Sequence, residues 1–416
     1  MDVRIDRLGA RGDGIAETDD GPVYVPFALP GEAARVRVGK SRGDGRAAAL
    51  QEITTASADR QAPACRHFGA VARPCGGCAA QHMGSAVYGG WKRDVVASAL
   101  ARHGLHPEIA PLISVSPATR RRVRLAFRRV AGGTVLGFHE GRSDRIIDIA
   151  ECPVAVPEIV ALMPHLRKFL TGRAERGEVA VTHTPEGADV VVFTPREPDL
   201  DTRMDAPDFC NAAGIARLSW SAKGDSVPEP VIALVAPTAN FGGTTVRIPP
   251  DSFLQPTAAG EAALRDWVLA ATAGMETVAD LFAGCGAFSL PLAASGKTVT
   301  AFEGVAGQVA ALRSAGAGLP LVAEARDLAR QPLRAEELTR FDAVVIDPPR
   351  VGAPEQIANL ALSDVPAIAY VSCNPATFAR DARVLADAGF VPGTVQPVDQ
   401  FLWSSHVELA CMFRRN

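Results

Sequence analysis

Cys373 stands in Ser372-Cys373-Asn374-Pro375, shortly after Ile346-Asp347-Pro348-Pro349-Arg350. Upstream of both lies Asp280-Leu281-Phe282-Ala283-Gly284-Cys285-Gly286. Each stretch offers a different piece of chemistry. A thiol between small polar residues is a candidate nucleophile. The Asp-Pro-Pro loop presents a carboxylate and bare carbonyls where a flat base can dock. The glycine-rich turn lets a nucleotide-like cofactor approach the backbone closely. Together the three stretches point to methyl transfer onto a nucleobase through a covalent adduct.

Such a reaction needs the thiol. C5 of uracil is a poor nucleophile, and thiolate addition at C6 turns the ring into an enolate whose C5 can attack a methyl group. A base must then take the C5 proton so that the thiolate can leave. Glu408, in Ser405-His406-Val407-Glu408-Leu409, is the candidate base. The alternation there predicts a strand with His406 and Glu408 on one face. Read in isolation, Cys373 is more simply a buried, inert thiol and Glu408 a surface carboxylate. The neighbouring loops reverse that reading for Cys373. His406 is expected to pack or hydrogen-bond rather than move protons.

The first strand of the cofactor site ends at Asp280, and Gly284 and Gly286 follow it. The next strand ends in Phe302-Glu303, where an acid commonly accepts hydrogen bonds from ribose hydroxyls. Glu303 lies 19 residues after Gly284, close to the ~20 of a nucleotide-binding βαβ unit. Asp327 follows a third apolar run (Leu319 to Val322) and is placed to reach an adenine amino group. Asp347 ends a fourth. Ser289 stands where the nicotinamide fingerprint has its third glycine, which favours S-adenosylmethionine (SAM) over a dinucleotide.

The elements that must position these residues are legible in the same region. Short apolar runs at Thr277–Phe282, Thr298–Phe302, Ala343–Ile346 and Ile368–Ser372 alternate with helical segments. That alternation predicts a doubly wound, Rossmann-like α/β domain over 251–416, with its ligand crevice at the C-terminal ends of the strands. Cys373 falls at such an end. Residues 1–55 read as a small β-barrel of short strands between turns such as Gly12-Asp13-Gly14. Residues 56–250 read as a central, mainly β domain that opens with a loop-rich cysteine stretch. Within it, helices are expected at Trp91–His103 and, as the one helix of 110–240, at Pro157–Leu170.

Four of the eight cysteines invite a metal reading. Cys75-Gly76-Gly77-Cys78 lets two thiolates converge, Cys65 lies ten residues earlier, and Cys152 can close the set from a distant segment. Residue chemistry leaves a [4Fe-4S] cluster and a structural zinc equally open. A redox C-x-x-C fits less well, since no βαβ unit opens there. The ligands lie far in sequence from Cys373, so a structural role is expected.

Composition excludes more than it selects. No apolar run approaches the ~18 residues of a membrane span, and no secretory signal opens the chain, so the cytoplasm is the default. The net charge of −3 does not advertise a nucleic-acid binder. Arg120–Arg129 nevertheless holds six arginines and no acid. Its alternation predicts a strand with one arginine-bearing face, either a phosphate-binding surface or a solvated one.

These pieces together resemble the RNA uracil-5-methyltransferase family, specifically its 23S ribosomal-RNA branch with an N-terminal TRAM domain and an iron–sulfur cluster. Ile15-Ala16 with Val25-Pro26-Phe27-Ala28-Leu29-Pro30-Gly31-Glu32 looks like the TRAM domain, an RNA-binding barrel. Cys75-Gly76-Gly77-Cys78 with Gln81-His82 looks like the family's cluster loop. The resemblance implies [4Fe-4S] on Cys65, Cys75, Cys78 and Cys152. It implies SAM contacts from Gln255, Phe282, Glu303, Asp327 and Asp347, around the turn of Gly284, Gly286 and Ala287. Cys373 matches the nucleophile and Glu408 the proton-abstracting base. The implied activity is C5-methylation of one uridine in 23S ribosomal RNA, and one active site per chain points to a monomer. Transfer RNA as substrate, or a non-catalytic RNA-binding protein on a SAM fold, are the alternatives. The chain departs from the family in a longer Cys65–Cys75 loop, in Ala287 where asparagine is common, and in Pro349 where alanine is frequent.

Overall fold

The computed structural model describes residues 1–141, 143–222 and 227–415. The chain opens with six strands, β1 (Asp2–Arg4), β2 (Arg7–Leu8), β3 (Gly14–Ala16), β4 (Val23–Val25), β5 (Ala33–Arg42) and β6 (Gly45–Thr55). They form one sheet in the order β1-β5-β6-β4-β3-β2 around a core that includes Val3, Ile5, Val25, Ala28 and Val36. The loop-rich cysteine segment follows.

Helix α1 (Ser85–Ala101) and strand β7 (Ile113–Ser114) come next, and both leave their sequence neighbours. Val96, Ala99 and Leu100 of α1 pack into the core of the C-terminal sheet, and β7 pairs with a strand near residue 398. The boundary expected at 250 puts these elements in the central region. Their apolar side chains find their partners on the far side of it.

The central sheet is built from β8 (Arg122–Val130), β9 (Gly133–His139), β10 (Ile146–Asp148), β11 (Arg176–Thr184), β12 (Gly187–Phe193), β13 (Ile215–Ser221) and β14 (Glu229–Ala233). Its order is β10-β9-β8-β11-β12-β13-β14. Two helices cover it, α2 (Pro157–Leu170) and α3 (Leu200–Ala213), where one was expected. Helix α2 begins with proline at its first turn, where no N–H is needed. Helix α3 was missed because its apolar stripe is weak and Pro207 sits inside it. It is held instead by Asp199, whose carboxylate accepts from Thr202 N at 2.8 Å, and by left-handed Gly214 at its end.

A hairpin of β15 (Thr238–Phe241) and β16 (Thr244–Arg247) leads into the C-terminal layer. There follow α4 (Ala258–Ala271), β17 (Thr277–Leu281), α5 (Ser289–Ala294), β18 (Thr298–Glu303), α6 (Ala306–Ala315), β19 (Leu321–Ala325), α7 (Ala335–Leu338), β20 (Ala343–Ile346), α8 (Pro354–Leu362), β21 (Ala367–Ser372), α9 (Pro375–Asp387), β22 (Phe390–Pro392), β23 (Gln396–Asp399) and β24 (Glu408–Arg415). The sheet runs β19-β18-β17-β20-β21-β24-β23-β7. From β19 to β21 it is parallel, and β24 is antiparallel to both β21 and β23. Strands β20 and β21 are buried throughout, as parallel strands covered on both faces must be, and hence read as unbroken apolar runs. Among the described residues no helix is long and apolar enough to cross a membrane.

Candidate active site

Strand β17 delivers the chain to a turn that only special residues can make. Phe282 adopts a left-handed φ of 62°, which strains a bulky side chain, and Gly284 and Gly286 follow at 57° and 98°. A Cβ on Gly286 would lie 2.4 Å from Leu312 Cδ1, so glycine is required there by space as well as by φ. Behind the turn, Ser289 Oγ donates to the buried Asp280 carboxylate. The serine that replaces the third glycine is therefore a strut. Burial pushes Asp280 up to about 7.

Glu303 at the end of β18 is fixed by two backbone donors. Gly284 N donates to one carboxylate oxygen at 2.9 Å and Val305 N to the other at 2.8 Å. Each oxygen keeps a lone pair for a ligand hydroxyl. Asp327 follows β19 beside Gly304 and is half exposed. Gln255, Phe282, Gly284, Ala287 and Asp347 line one cleft, together with Phe253 and Leu254. Gln255 Nε2 donates to Asp347 Oδ2 at 3.3 Å. The segment holding Gln255 is clamped from the central sheet by Arg121, whose Nε donates to Gln255 O at 3.1 Å and whose Nη2 meets Glu261 at 2.6 Å. These residues fit a nucleoside cofactor: a left-handed turn with bare glycine faces, an aromatic side chain, and acids at successive strand ends.

Cys373 leaves β21 directly into α9. Asn374 caps that helix by accepting from Ala376 N at 3.1 Å, and its Nδ2 donates to Arg350 O at 2.9 Å. The cap thus ties the Asp347-to-Arg350 loop to the thiol. In the β21–β24 pair Ser372 lies opposite Leu409, which sets Cys373 beside Glu408. Burial, reinforced by Glu408 and Asp347, pushes the Cys373 thiol up to about 12, and Arg350 pulls it down. Glu408 is 2 % exposed and is pushed by burial up to about 7. Asp347 is raised well above the carboxylate range by its own burial and by Glu408.

His406 does not share a strand face with Glu408. Strand β24 begins at Glu408, and His406 belongs to the preceding turn, where its Nδ1 lies 3.0 Å from Arg350 Nη2. Burial, then Arg350, pulls His406 down to about 4, so the ring is neutral.

The four cysteines come together. Cys65, Cys75, Cys78 and Cys152 are free thiols on one cavity of about 440 Å³. Burial raises Cys65 and Cys75, and pushes Cys78 up to about 12. The same cavity is walled by Arg350, Phe401 and His406, so a set remote from Cys373 in sequence shares a wall with the turn before Glu408. Among the described residues no group of three or more His, Cys, Asp or Glu side chains is placed to hold a metal ion.

The expected arginine-bearing strand forms as β8, but part of its face is neutralised. From Arg122 to Arg128 of β8 the alternation breaks only at Ala126, which is buried on the arginine side while Val123, Leu125 and Phe127 line the other face. Arg124 meets Glu178 and Asp251, and Arg122 meets Asp251, all within 3.2 Å. The acids that pair with Arg122 and Arg124 come from distant segments, invisible to a local count. Gln400, buried between Gln255 and Glu408, was missed altogether, for it carries no motif.

A doubly wound sheet whose cleft opens at the turn after the first strand of its parallel run is the architecture of SAM-dependent methyltransferases. Residues 320–416 match the family model described as tRNA (Uracil-5-)-methyltransferase, and residues 1–44 match the TRAM domain. The chain is 45% identical, over 98% of its length and 96% of the relative's, to an uncharacterized RNA methyltransferase of Mesorhizobium japonicum. It is 34% identical to the 23S rRNA (uracil(1939)-C(5))-methyltransferase RlmD of Halomonas elongata, over 97% of this chain and 87% of that protein. The fold matches that of the Pyrococcus abyssi tRNA (uracil-54, C5)-methyltransferase solved with S-adenosyl-L-homocysteine, with a TM-score of 0.78 at 24% identity and 99% of each chain covered. The chain belongs to the SAM-dependent RNA uracil-5-methyltransferase family.

Proposed function

We propose that this enzyme methylates C5 of a specific uridine in 23S ribosomal RNA, with Cys373 as nucleophile and Glu408 as base. The observation that carries the reading is the meeting of that thiol and that carboxylate at the ends of paired strands, beside Asp347 and the cleft. Bound SAM supplies an electrophilic methyl group on sulfonium. Gln255, Phe282, Gly284, Gly286, Ala287, Glu303, Asp327 and Asp347 form its site. Cys373 sulfur adds to C6 of uracil, and the ring electrons move toward O4. C5 would then take the methyl group as the donor's S–C bond breaks and its sulfur keeps the electron pair as a neutral thioether. Glu408 removes the C5 proton, the C5–C6 double bond re-forms, and the sulfur departs with its electron pair. Arg350 is the cation that favours the thiolate, against two neighbouring carboxylates.

The ribosomal substrate is favoured by the 34% relative and by the four-cysteine set joined to a TRAM domain. The N-terminal sheet (1–55) would grip RNA, the central unit (56–250) would present the cysteine loop, and residues 251–416 would hold the chemistry, completed by α1 and β7. A [4Fe-4S] cluster on Cys65, Cys75, Cys78 and Cys152 is the metal reading. Four free, partly buried cysteines on one cavity supply the donor type that such a cluster takes once the thiols lose their protons. The decisive assay uses stripped 23S RNA and transfer RNA, each made with 5-fluorouracil. A complex that survives denaturation with the ribosomal RNA, and vanishes in Cys373→Ala, is expected. Trapping on transfer RNA alone would reassign the substrate, and no trapping at all would remove the thiol mechanism.

A further inference from the structure

We infer that Gln400 is a positioning residue for the proton-abstraction step, holding Glu408 in place and linking it to the cofactor cleft. This rests on the reading of Glu408 as the base. Gln400 is 1% exposed and lies just beyond β23. Its Nε2 donates twice, to Glu408 Oε2 at 2.9 Å and to Gln255 Oε1 at 2.6 Å. Gln255 Nε2 in turn donates to Asp347 Oδ2 at 3.3 Å. Two amides therefore bridge two buried carboxylates in one directed chain. With Glu408 ionised this orientation is required, because only an N–H can satisfy both acceptors that Gln400 then faces.

The chemistry gives the amide a purpose. A base that must collect a proton from carbon has to be ionised and aimed when the methylated adduct forms. Every other group near Glu408 works against that. Asp347, just beyond β20, repels it whenever both are ionised, as would a thiolate at Cys373, just beyond β21. Asp399 on β23 is neutralised by Lys92 and Tyr88 of α1, and the Arg350 cation is turned to His406. The Gln400 donor is the contact that favours the Glu408 carboxylate. On its other side, a Cβ on Gly260 would lie 2.7 Å from both Gln400 Cβ and Oε1, so the helix start leaves the amide no room to retreat.

The test separates steps. Gln400→Met keeps the shape and removes the donor, and Gln400→Glu substitutes a repelling acid. Both would be compared with Glu408→Gln in single-turnover reactions at several pH values. Trapping of 5-fluorouracil RNA needs the thiol and the methyl donor but not the base. Both variants are expected to trap at the wild-type rate, which also reports that they fold. On ordinary RNA, release of the methylated adduct should slow about tenfold or more, the loss of one hydrogen bond to a charged group. The acidic limb of the pH profile should move to higher pH, because the contact that favoured the ionised form is gone. Unchanged adduct release in Gln400→Met overturns the inference, as does trapping that falls in parallel with turnover. If Glu408→Gln itself releases the adduct normally, the base assignment fails instead.

Discussion

Lys92 on α1 and Asp399 on β23 meet at 2.8 Å with neither side chain exposed, although 307 residues separate them in sequence. Tyr88 OH donates to the same carboxylate, and Lys92 Nζ also donates to the carbonyls of Phe401 and His406. The pair thus anchors the turn that leads into Glu408. Removing one partner leaves an uncompensated buried charge. Lys92→Ala is expected to cost about 3–5 kcal/mol in denaturant unfolding. The double variant Lys92→Ala/Asp399→Ala should cost less than the two singles summed, and strict additivity would contradict the pairing.

Loss of the nucleophile should be nearly complete. Cys373→Ala and Cys373→Ser are expected to reduce methylation at least about a thousandfold while leaving SAM affinity intact. Methyl incorporation and cofactor titration on the same preparations check this. Loss of cofactor binding alongside activity would mean that the thiol is structural.

The pH dependence follows from Glu408. Its carboxyl is raised from 4.5 to about 7 by burial, so the base is protonated below that range and ionised above it. Activity should climb as pH rises through about 7. Stability should move the other way. Between 4.5 and about 7 the folded state keeps a proton that the unfolded chain has lost, so this group's contribution falls with rising pH. Glu408→Gln should flatten that part of the stability curve, as melting points across the range would show.

Gly286→Ala combines a left-handed φ with a methyl group 2.4 Å from Leu312. A loss of about 1–3 kcal/mol is expected, with weaker SAM binding as the turn shifts. Melting with and without SAM measures both, and a variant as stable as the parent would refute the tight packing.

Anaerobic purification should yield brown protein with about four irons per chain. Cys152→Ser, which removes the ligand from the distant segment, should lower the iron content and the visible absorbance. A colourless protein carrying zinc would replace the cluster assignment.

Much of the C-terminal layer was legible because parallel strands buried on both faces announce themselves as apolar runs, and their ends carry Asp280, Glu303 and Asp347 in register with the crevice. Cys373 could be placed on its strand end for the same reason. His406 was misplaced because alternation over a few residues cannot distinguish a strand from the turn that feeds it. Helix α3, with a weak apolar stripe and an internal proline, hides from periodicity. Arg122, Arg124 and Gln400 draw their meaning from Asp251, Glu178, Gln255 and Glu408, residues that only tertiary structure brings near. Long-range polar partners leave no local trace.

Strand β24 is inserted between β21 and β23, and α1 and β7 reach the same layer from hundreds of residues upstream. During synthesis on the ribosome, α1 must therefore wait with its apolar face uncovered while the central unit folds. The nucleophile emerges before the strand that carries the base, and the two meet when that strand pairs with β21. The nucleophile and the base therefore become neighbours only once the last strand of the sheet is in place.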